Sequence, residues 1–257
     1  MKRNAIARIV IYTVAVLVMT AILIVGIAPE YFMYTFGDHS ATDVPKEGRA
    51  PATVRRLEID WAGGTVTIQK GSGTDIWFYE SAPDGCWYHM DYDYNEYTLQ
   101  IQYGKSSFIG LGKVPEKNLV IQVPENWNCE DLVINGAGLE VYVDAVDVEN
   151  LKMNGAGCNL DFSGAITRLN ADGAGAALKL HCTNKPEYIR IDGMGCSIDL
   201  TLPQECGFSV KTSGMGCELV TELPWHEADG YMVYGNGICN ININGLGCQV
   251  KITETKD

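Results

Sequence analysis

The stretch "VENLKMNGAGCNLDF", Val148–Phe162, decides the fold because variants of it recur along the second half of the chain. Related stretches are "YIRIDGMGCSIDL" from Tyr188, "VKTSGMGCELV" from Val210 and "ININGLGCQVKI" from Ile241. Each is a short apolar strand, a Gly-x-Gly corner, a cysteine and a second alternating strand. A unit that recurs in this way is typical of a solenoid, in which each coil buries its apolar side only against its neighbours.

Six such corners are present, at nearly regular spacing. Their first glycines are Gly136, Gly155, Gly173, Gly193, Gly214 and Gly245, which lie 19, 18, 20, 21 and 31 residues apart. The last interval is one repeat plus the insertion "PWHEADGYMVYGNG", Pro224–Gly237. Apolar and polar residues alternate around every corner, as expected for strands with one buried face. The sequence therefore predicts an all-β, parallel β-helix-like solenoid, with repeats over about residues 132–252.

A small polar residue precedes each corner. These residues are Asn135, Asn154, Asp172, Asp192, Ser213 and Asn244. Such side chains hydrogen-bond backbone groups of their own turns, so we expect a stack of them to satisfy the corner amides. A calcium ladder is the alternative, but the nine-residue Gly-Gly-x-Gly-x-Asp repeat of calcium-binding β-rolls is absent.

The N-terminus is a separate object. Residues 1–8 carry Lys2, Arg3 and Arg8, and the apolar run Ile9–Pro29 follows. As a helix this run is roughly 31 Å long, close to the ~30 Å thickness of a membrane hydrocarbon core. A cleaved signal peptide is the alternative, although its apolar region is typically roughly 7–15 residues long. We expect a cytoplasmic segment at 1–8, a transmembrane helix at 9–29, a linker at 30–53 and an extracellular domain at 54–253, in a single-pass membrane protein.

The exported part is strongly acidic. Three of the 19 basic residues and none of the 32 acidic residues precede Glu30, so residues 30–257 hold 16 basic and 32 acidic residues, a net charge of −16. A surface of this sign does not attract nucleic acid or anionic lipid. It attracts cationic peptides or metal ions, or it simply keeps the protein soluble.

The chain resembles a known family. The features that carry the resemblance are the basic N-terminus with one apolar segment, the strand ending "LVIQVPENW", the repeated "INGAG" and "IDGMG" corners, and the closing "YGNGICNININGLGCQVKI". Together, over roughly Val54 to Ile252, they resemble the bacterial "putative adhesin" domain family, related to auto-transporter-like (head-GIN) adhesin heads and to the toastrack domains of envelope-stress proteins. The resemblance implies a single-stranded right-handed β-helix outside a Gram-positive-type membrane, without catalytic residues. The family usually has small or polar residues where this chain has cysteines.

The residues contain no recognisable catalytic or cofactor motif. Nine cysteines are present, but none are spaced as Cys-x-x-Cys, and no histidine lies at zinc-ligand spacing. The outward carboxylates Asp161 and Asp199 are expected on non-adjacent coils, with Lys179 between them. We therefore predict no enzyme activity, no metal and no cofactor.

One acidic, aromatic stretch is a candidate ligand-binding patch. Nine aromatic residues and no Lys or Arg lie between Trp77 and Tyr103, and the candidate residues are Trp87, Tyr92, Tyr94 and Tyr97. Aromatic faces beside carboxylates suit sugars or cationic groups. The alternative is a half-buried strand whose tyrosine rings pack inward.

Four cysteines follow corners at the same repeat position: Cys158, Cys196, Cys217 and Cys248. Leu139 and Ala176 fill this position in sister coils, so it requires only a small or apolar side chain, and we predict a packing ladder of free thiols. Sequential stacking would make Cys196 and Cys217 neighbours ~4.8 Å apart, which is too wide between Cβ atoms for an unstrained disulfide.

Three functions remain open. The first is a non-catalytic, membrane-anchored surface module or adhesin that binds a surface glycan, peptide or protein. The second is an extracellular component of an envelope-stress response that senses or sequesters an agent such as a cationic peptide. The third, supported only by analogy of fold, is an enzyme acting on wall polysaccharide.

Overall fold

The computed structural model describes residues 46–83, 86, 89–104 and 115–255. The predicted cytoplasmic segment 1–8 and transmembrane helix 9–29 lie outside these residues. Within the described ranges all regular secondary structure is β-strand, and no helix there is long and apolar enough to cross a membrane.

The described strands form one sheet with both parallel and antiparallel pairings. In chain order they are β1 Glu47–Ala50, β2 Arg56–Gly71, β3 Ile76–Ser81, β4 Asp91–Tyr94, β5 Thr98–Gln102, β6 Lys117–Pro124, β7 Cys129–Asp144, β8 Val148–Ala156, β9 Asn159–Gly164, β10 Ile166–Ala174, β11 Ala177–Cys182, β12 Tyr188–Met194, β13 Ser197–Leu202, β14 Phe208–Met215, β15 Glu218–Thr221, β16 His226–Ala228, β17 Tyr231–Tyr234, β18 Cys239–Leu246 and β19 Gln249–Glu254.

Each coil consists of two strands that meet at a Gly-x-Gly corner. In the coil of β8 and β9 the chain turns after the corner, runs along β9 and returns to start β10 beside β8. Equivalent residues stack in register, so Leu151 pairs with Leu169 and Leu160 with Leu178. Leu160 is 2% exposed whereas Asn159 is exposed. The predicted alternation and stacking are therefore confirmed for the coils.

The two glycines of a corner are needed for different reasons. A Cβ atom on Gly155 would lie 2.0 Å from the carbonyl oxygen of Gly136, and one on Gly173 would lie 2.0 Å from that of Gly155. The first glycine therefore permits close approach of successive coils. The second glycine has open space around it but a left-handed backbone, with φ of 63° at Gly157 and 65° at Gly175.

The polar residues at the corners hydrogen-bond to each other from coil to coil, whereas the sequence predicted bonds to their own turns. The Asn135 amide donates to Asp60 Oδ1 at 2.7 Å, and the Asn154 amide donates to Asn135 Oδ1 at 2.8 Å. The next two positions, Asp172 and Asp192, are register partners of like charge. Burial, followed by the Asp192 carboxylate, raises the pKa of Asp172.

The coils do not stack in chain order at the C-terminal end, which corrects the sequential solenoid expected from the repeats. β12 pairs with β18, and β18 pairs on its other side with β14. Likewise β13 pairs with β19, and β19 pairs with β15. The last coil of the chain therefore lies between two earlier ones, and the coil of β14 and β15 ends the stack.

The insertion at Pro224–Gly237 explains this reversal. It forms the hairpin of β16 and β17, and β17 pairs antiparallel with the start of β14, placing Tyr234 opposite Phe208. The chain then passes close to Gly207, where a Cβ atom would lie 2.2 Å from Asn236 Oδ1 and whose carbonyl accepts the Cys239 N–H at 3.0 Å. This passage delivers β18 to the opposite edge of β14.

The N-terminal part is not a single-stranded parallel coil. β2 pairs in parallel with β5, β6 and β7, but β1, β3 and β4 add antiparallel strands beyond them. β1 lies within the predicted linker 30–53, so the sheet begins before Val54. Four residues are too few for their alternation to be evident in the sequence. Trp61 and Phe78, both fully buried, continue the core into this end.

Candidate functional site

The aromatic patch predicted from the sequence divides between core and surface. Tyr92 is half-buried, and its ring packs edge-on against Phe78 with 4.9 Å between ring centroids. Tyr94 and Tyr97 are 48% and 43% exposed. Trp87 lies outside the described residues. The half-buried strand alternative thus describes Tyr92, whereas Tyr94 and Tyr97 are accessible to a ligand.

Carboxylates surround the exposed Tyr97. Its hydroxyl donates to Glu130 Oε2 at 3.1 Å and to Asp131 Oδ2 at 3.3 Å. The hydrogen bond to Glu130 is the main reason that the pKa of Tyr97 is raised. Arg56 is the nearby cation, 3.9 Å from Asp131. We call Tyr94, Tyr97, Glu130 and Asp131 the acidic aromatic surface.

A second surface lies on the outer face of the strands that follow the corners. Register pairing places Tyr142, Asp161, Lys179, Asp199 and Lys251 in one row across five strands. The Lys179 ammonium lies 2.7 Å from Asp161 Oδ2. The prediction that Lys179 separates Asp161 from Asp199 is therefore confirmed, and the row alternates in charge.

This row forms one side of a shallow groove of about 230 Å³. We call it the Tyr142 groove; its polar lining residues are Glu140, Tyr142, Asn159, Asp161, Lys179, Ser197 and Asp199. The Tyr142 ring is 44% exposed, and its hydroxyl donates to Glu140 Oε2 at 3.2 Å. An accessible aromatic face beside carboxylate, amide and ammonium groups can bind a polyol. The sequence did not single out Tyr142, although an aromatic residue at an outward strand position is the signal that identifies it.

The four corner cysteines form a column inside the stack. In spatial order they are Cys158, Cys196, Cys248 and Cys217. The coil that has Ala176 at this position lies between those of Cys158 and Cys196. Each Sγ faces the carbonyl oxygen of the first corner glycine in the preceding coil, at 3.3, 3.8, 3.5 and 3.4 Å respectively. Burial raises the pKa of Cys158 and of Cys248.

The reversed coil order changes which thiols are neighbours. Cys248 lies between Cys196 and Cys217, so the expected adjacency of Cys196 and Cys217 is wrong. The reason is the insertion of β19 between β13 and β15. Cys158, Cys196 and Cys248 are at most 3% exposed, and Cys217, in the terminal coil, is half-buried.

Four further free thiols, Cys129, Cys182, Cys206 and Cys239, are buried at the other end of the coils. Burial raises the pKa of Cys182 to about 12 and also raises those of Cys206 and Cys239. Thiols held in the protonated form are poor nucleophiles and poor metal ligands. Among the described residues no group of three or more His, Cys, Asp or Glu side chains is arranged to hold a metal.

A buried ion pair near the N-terminal end was not predicted. The Lys117 ammonium lies 2.8 Å from Glu80 Oε2, and both side chains are fully buried. Glu80 also accepts the Met90 backbone N–H at 2.8 Å and contacts His89 Nδ1. Burial lowers the pKa of Lys117, and the hydrogen bond from its ammonium to Glu80 opposes that shift. These bonds tie together β3, β6 and the segment that precedes β4.

The Lys117 ammonium also lies over two aromatic rings. It is 4.1 Å from the Tyr103 ring centroid and 5.1 Å from that of Trp61, and the Trp61 indole donates to the Lys117 carbonyl at 3.1 Å. The polar atoms of the ion pair are thus satisfied within the fold, and the arrangement serves packing rather than ligand binding.

Two solved structures are similar to this chain. One is described as a putative cell adhesion protein from Clostridium sporogenes; it is 17% identical, with a TM-score of 0.43, and the match covers 82% of this chain and all of that one. The other is described as a putative adhesin from Bacteroides fragilis, with 14% identity, a TM-score of 0.47 and coverage of 82% and 98%. No family model and no curated protein sequence matches the chain. Both structural matches extend over most of this chain.

Proposed function

We propose that the protein is a non-catalytic, membrane-anchored cell-surface module of the adhesin type, and that the Tyr142 groove binds a surface glycan. The apolar segment 9–29 is its anchor, and the acidic domain lies outside the cell membrane. The observation that carries the proposal is the exposed Tyr142 ring among polar groups on a rigid sheet.

The groove has the chemistry that a sugar ring requires. An apolar sugar face stacks on an exposed aromatic ring, and the sugar hydroxyls bond to polar groups around it. Tyr142 supplies the ring, while Glu140, Asn159 and Asp161 supply hydrogen-bonding atoms. In-register strands hold these groups ~4.8 Å apart, so little side-chain or backbone ordering is needed on binding.

A glycan array tests this proposal, with the wild type compared with Tyr142→Ala. We expect wild-type binding to a subset of wall or host glycans, weakened about fivefold or more in Tyr142→Ala, since stacking on one ring contributes about 1 kcal/mol or more. Tyr97→Ala is the matched control because Tyr97 is equally exposed and lies outside the groove. Equal binding by all three proteins would contradict a role for the groove.

A second candidate function rests on the acidic aromatic surface. As the alternative to glycan binding, we propose that the protein senses or sequesters cationic peptides as part of an envelope-stress response. Carboxylates beside exposed rings attract Lys and Arg side chains through charge and cation–π contact. Binding of a cationic antimicrobial peptide should then weaken with added salt and with Tyr97→Ala, while Tyr142→Ala should have no effect. A peptide affinity that changes neither with salt concentration nor with Tyr97→Ala would exclude this function.

The topology is tested separately on intact cells. A protease added outside should remove the domain and leave a fragment of the N-terminal segment in the membrane. Recovery of the intact domain from the culture medium, without a membrane fragment, would show that residues 9–29 are not an anchor.

A further inference from the structure

The buried ion pair of Glu80 and Lys117 holds together two groups that can react with each other. Lys117 Nζ lies 2.8 Å from Glu80 Oε2, and both side chains are fully buried. The carboxyl carbon is bonded to this oxygen, so the amine nitrogen lies close to the carbon that a nucleophile attacks. Two groups held in such contact react as if each were present at a very high local concentration.

Burial prepares the amine for this reaction. Burial lowers the pKa of Lys117, although the hydrogen bond to Glu80 opposes this change. When the ammonium gives a proton to the carboxylate, an uncharged amine faces an uncharged carboxylic acid, and the interior no longer holds two charges. The ring centroids of Tyr103 and Trp61 lie 4.1 and 5.1 Å from the nitrogen, and the two rings shield it from water.

The two carboxyl oxygens of Glu80 have different partners. Oε2 accepts the Met90 backbone N–H at 2.8 Å, and such a donor stabilises the negative charge that this oxygen gains when the nitrogen attacks. Oε1 contacts His89 Nδ1, a group that can deliver a proton to a leaving oxygen. The His89 side chain is 16% exposed, so a water molecule released beside it has a route to solvent.

We propose that Glu80 and Lys117 join in an amide bond, which is a covalent cross-link between β3 and β6. The new bond forms between Lys117 Nζ and Glu80 Cδ, and the bond from Cδ to Oε1 breaks. Two of the three ammonium hydrogens reach Oε1, through the carboxyl group and through His89. The third stays on the amide nitrogen, where it bonds to the Tyr103 carbonyl. Oε1 leaves as water, so the step needs no oxidant and no co-reactant.

The cross-link fastens the first strands of the domain to the rest of the sheet. β1 pairs with β3, and β3 pairs with β6, which in turn pairs with β2. A pull on the segment before β1 then reaches β6 through a covalent bond as well as through hydrogen bonds. Such a bond suits a domain that is held at its N-terminal side, as the proposed anchor requires.

An exposed ion pair in the same molecule provides an internal control. Lys179 Nζ lies 2.7 Å from Asp161 Oδ2, and the two side chains are 70% and 42% exposed. The hydrogen bond to Asp161 raises the pKa of Lys179, and water solvates both charges. The Lys179 amine therefore stays protonated and does not attack, so we expect no cross-link at this pair despite its equally short separation.

Mass spectrometry of the full chain, purified in detergent, tests the proposal. We expect an intact mass lower than that of the sequence by one water molecule, and a pair of proteolytic peptides joined through Glu80 and Lys117. The peptides that contain Asp161 and Lys179 should be recovered unlinked. Recovery of Glu80 and Lys117 in separate, unmodified peptides would overturn the proposal, as would a loss of water that tandem mass spectrometry locates elsewhere in the chain.

Variants test the part that each residue plays. The double substitution Glu80→Met and Lys117→Met replaces the ion pair by apolar side chains of similar size, so it should fold, as circular dichroism verifies, and have the full mass. His89→Gln has no ring nitrogen to relay a proton, so pulse-labelled chains should cross-link about a hundredfold more slowly or worse. His181→Gln, at an exposed histidine of β11, should leave the rate unchanged. Equal rates in His89→Gln and the wild type would refute the role of His89.

Discussion

Replacing the first glycine of a corner by alanine should destabilise the fold far more than replacing the second. Gly173→Ala puts a Cβ atom 2.0 Å from the Gly155 carbonyl oxygen, whereas real Cβ atoms stay at least 3.0 Å from such an atom. The coils must therefore separate locally by about 1 Å, which stretches hydrogen bonds of about 2.9 Å between β8 and β10 beyond bonding range. Losing two such bonds at about 1 kcal/mol each, with an overpacking cost of about 1–3 kcal/mol, predicts a loss of about 3 kcal/mol or more.

Gly175→Ala in the same corner is the control. Nothing lies within 4 Å of the added Cβ atom, so its cost is only that of a left-handed alanine at φ 65°, about 1–2 kcal/mol. Gly175→Asn should cost less, since asparagine tolerates this backbone conformation.

Urea unfolding followed by circular dichroism measures all three variants. Gly173→Ala should lower the midpoint most, with Gly175→Asn nearest to the wild type. If Gly173→Ala costs no more than Gly175→Ala, the close-approach argument is refuted and the first glycine has another role.

Three further predictions concern the alternation of inward and outward residues, the aspartates before the corners, and the buried thiols. Leu160→Asp should prevent folding because it buries an unpaired carboxylate. Asp161→Leu should change the free energy of unfolding by less than about 1 kcal/mol because the ion pair of Asp161 is exposed. Equal effects of the two substitutions would contradict the alternation of inward and outward residues. Asp172→Asn should stabilise the protein by about 0.5 kcal/mol at neutral pH, after allowance for solvent screening. Because burial and, after it, the Asp192 carboxylate raise the pKa of Asp172, the wild type regains this stability as pH falls through that pKa, so urea titrations of the two proteins should converge in acid. Cys182 and the other buried thiols should resist alkylation in the native protein near pH 8 and react fully in denaturant; rapid native labelling would show that they are accessible.

The repeat architecture was predictable because it is local. The alternation of apolar and polar residues around Leu160 and the Gly-x-Gly corner both depend on residues that are adjacent in the chain. The same two features recur in each coil. The thiol at Cys158 was correctly expected among buried apolar positions, since Leu139 and Ala176 fill the same site. Handedness and the membrane anchor rested on the resemblance and on residues 9–29, and both stay predictions.

The N-terminal end was less predictable because its structure depends on distant strands. Glu80 and Lys117 each resemble surface charges at the end of a strand. They are buried because β3 and β6 pair antiparallel and because Met90 and Tyr103 close over them. The two alternatives for the aromatic stretch could not be separated for the same reason: Tyr92 packs against Phe78 from another strand, and nothing within its own segment distinguishes it from Tyr94.

The coil order could not have been read from the repeats, because every coil offers the same edge to its neighbour. Ile241 of β18 pairs with Ile189 of β12 on one side and with Val210 of β14 on the other. All three are inward apolar residues at the same repeat position, so either β18 or β14 could lie beside β12 with its apolar residues in register. Side-chain complementarity therefore does not choose between the two orders. The connection between β17 and β18 determines the order of the coils. Because β17 pairs with one edge of β14, the short loop that follows it past Gly207 places β18 on the other edge. The insertion that interrupts the repeat thus determines which coil ends the stack, and with it which strand edge the protein presents.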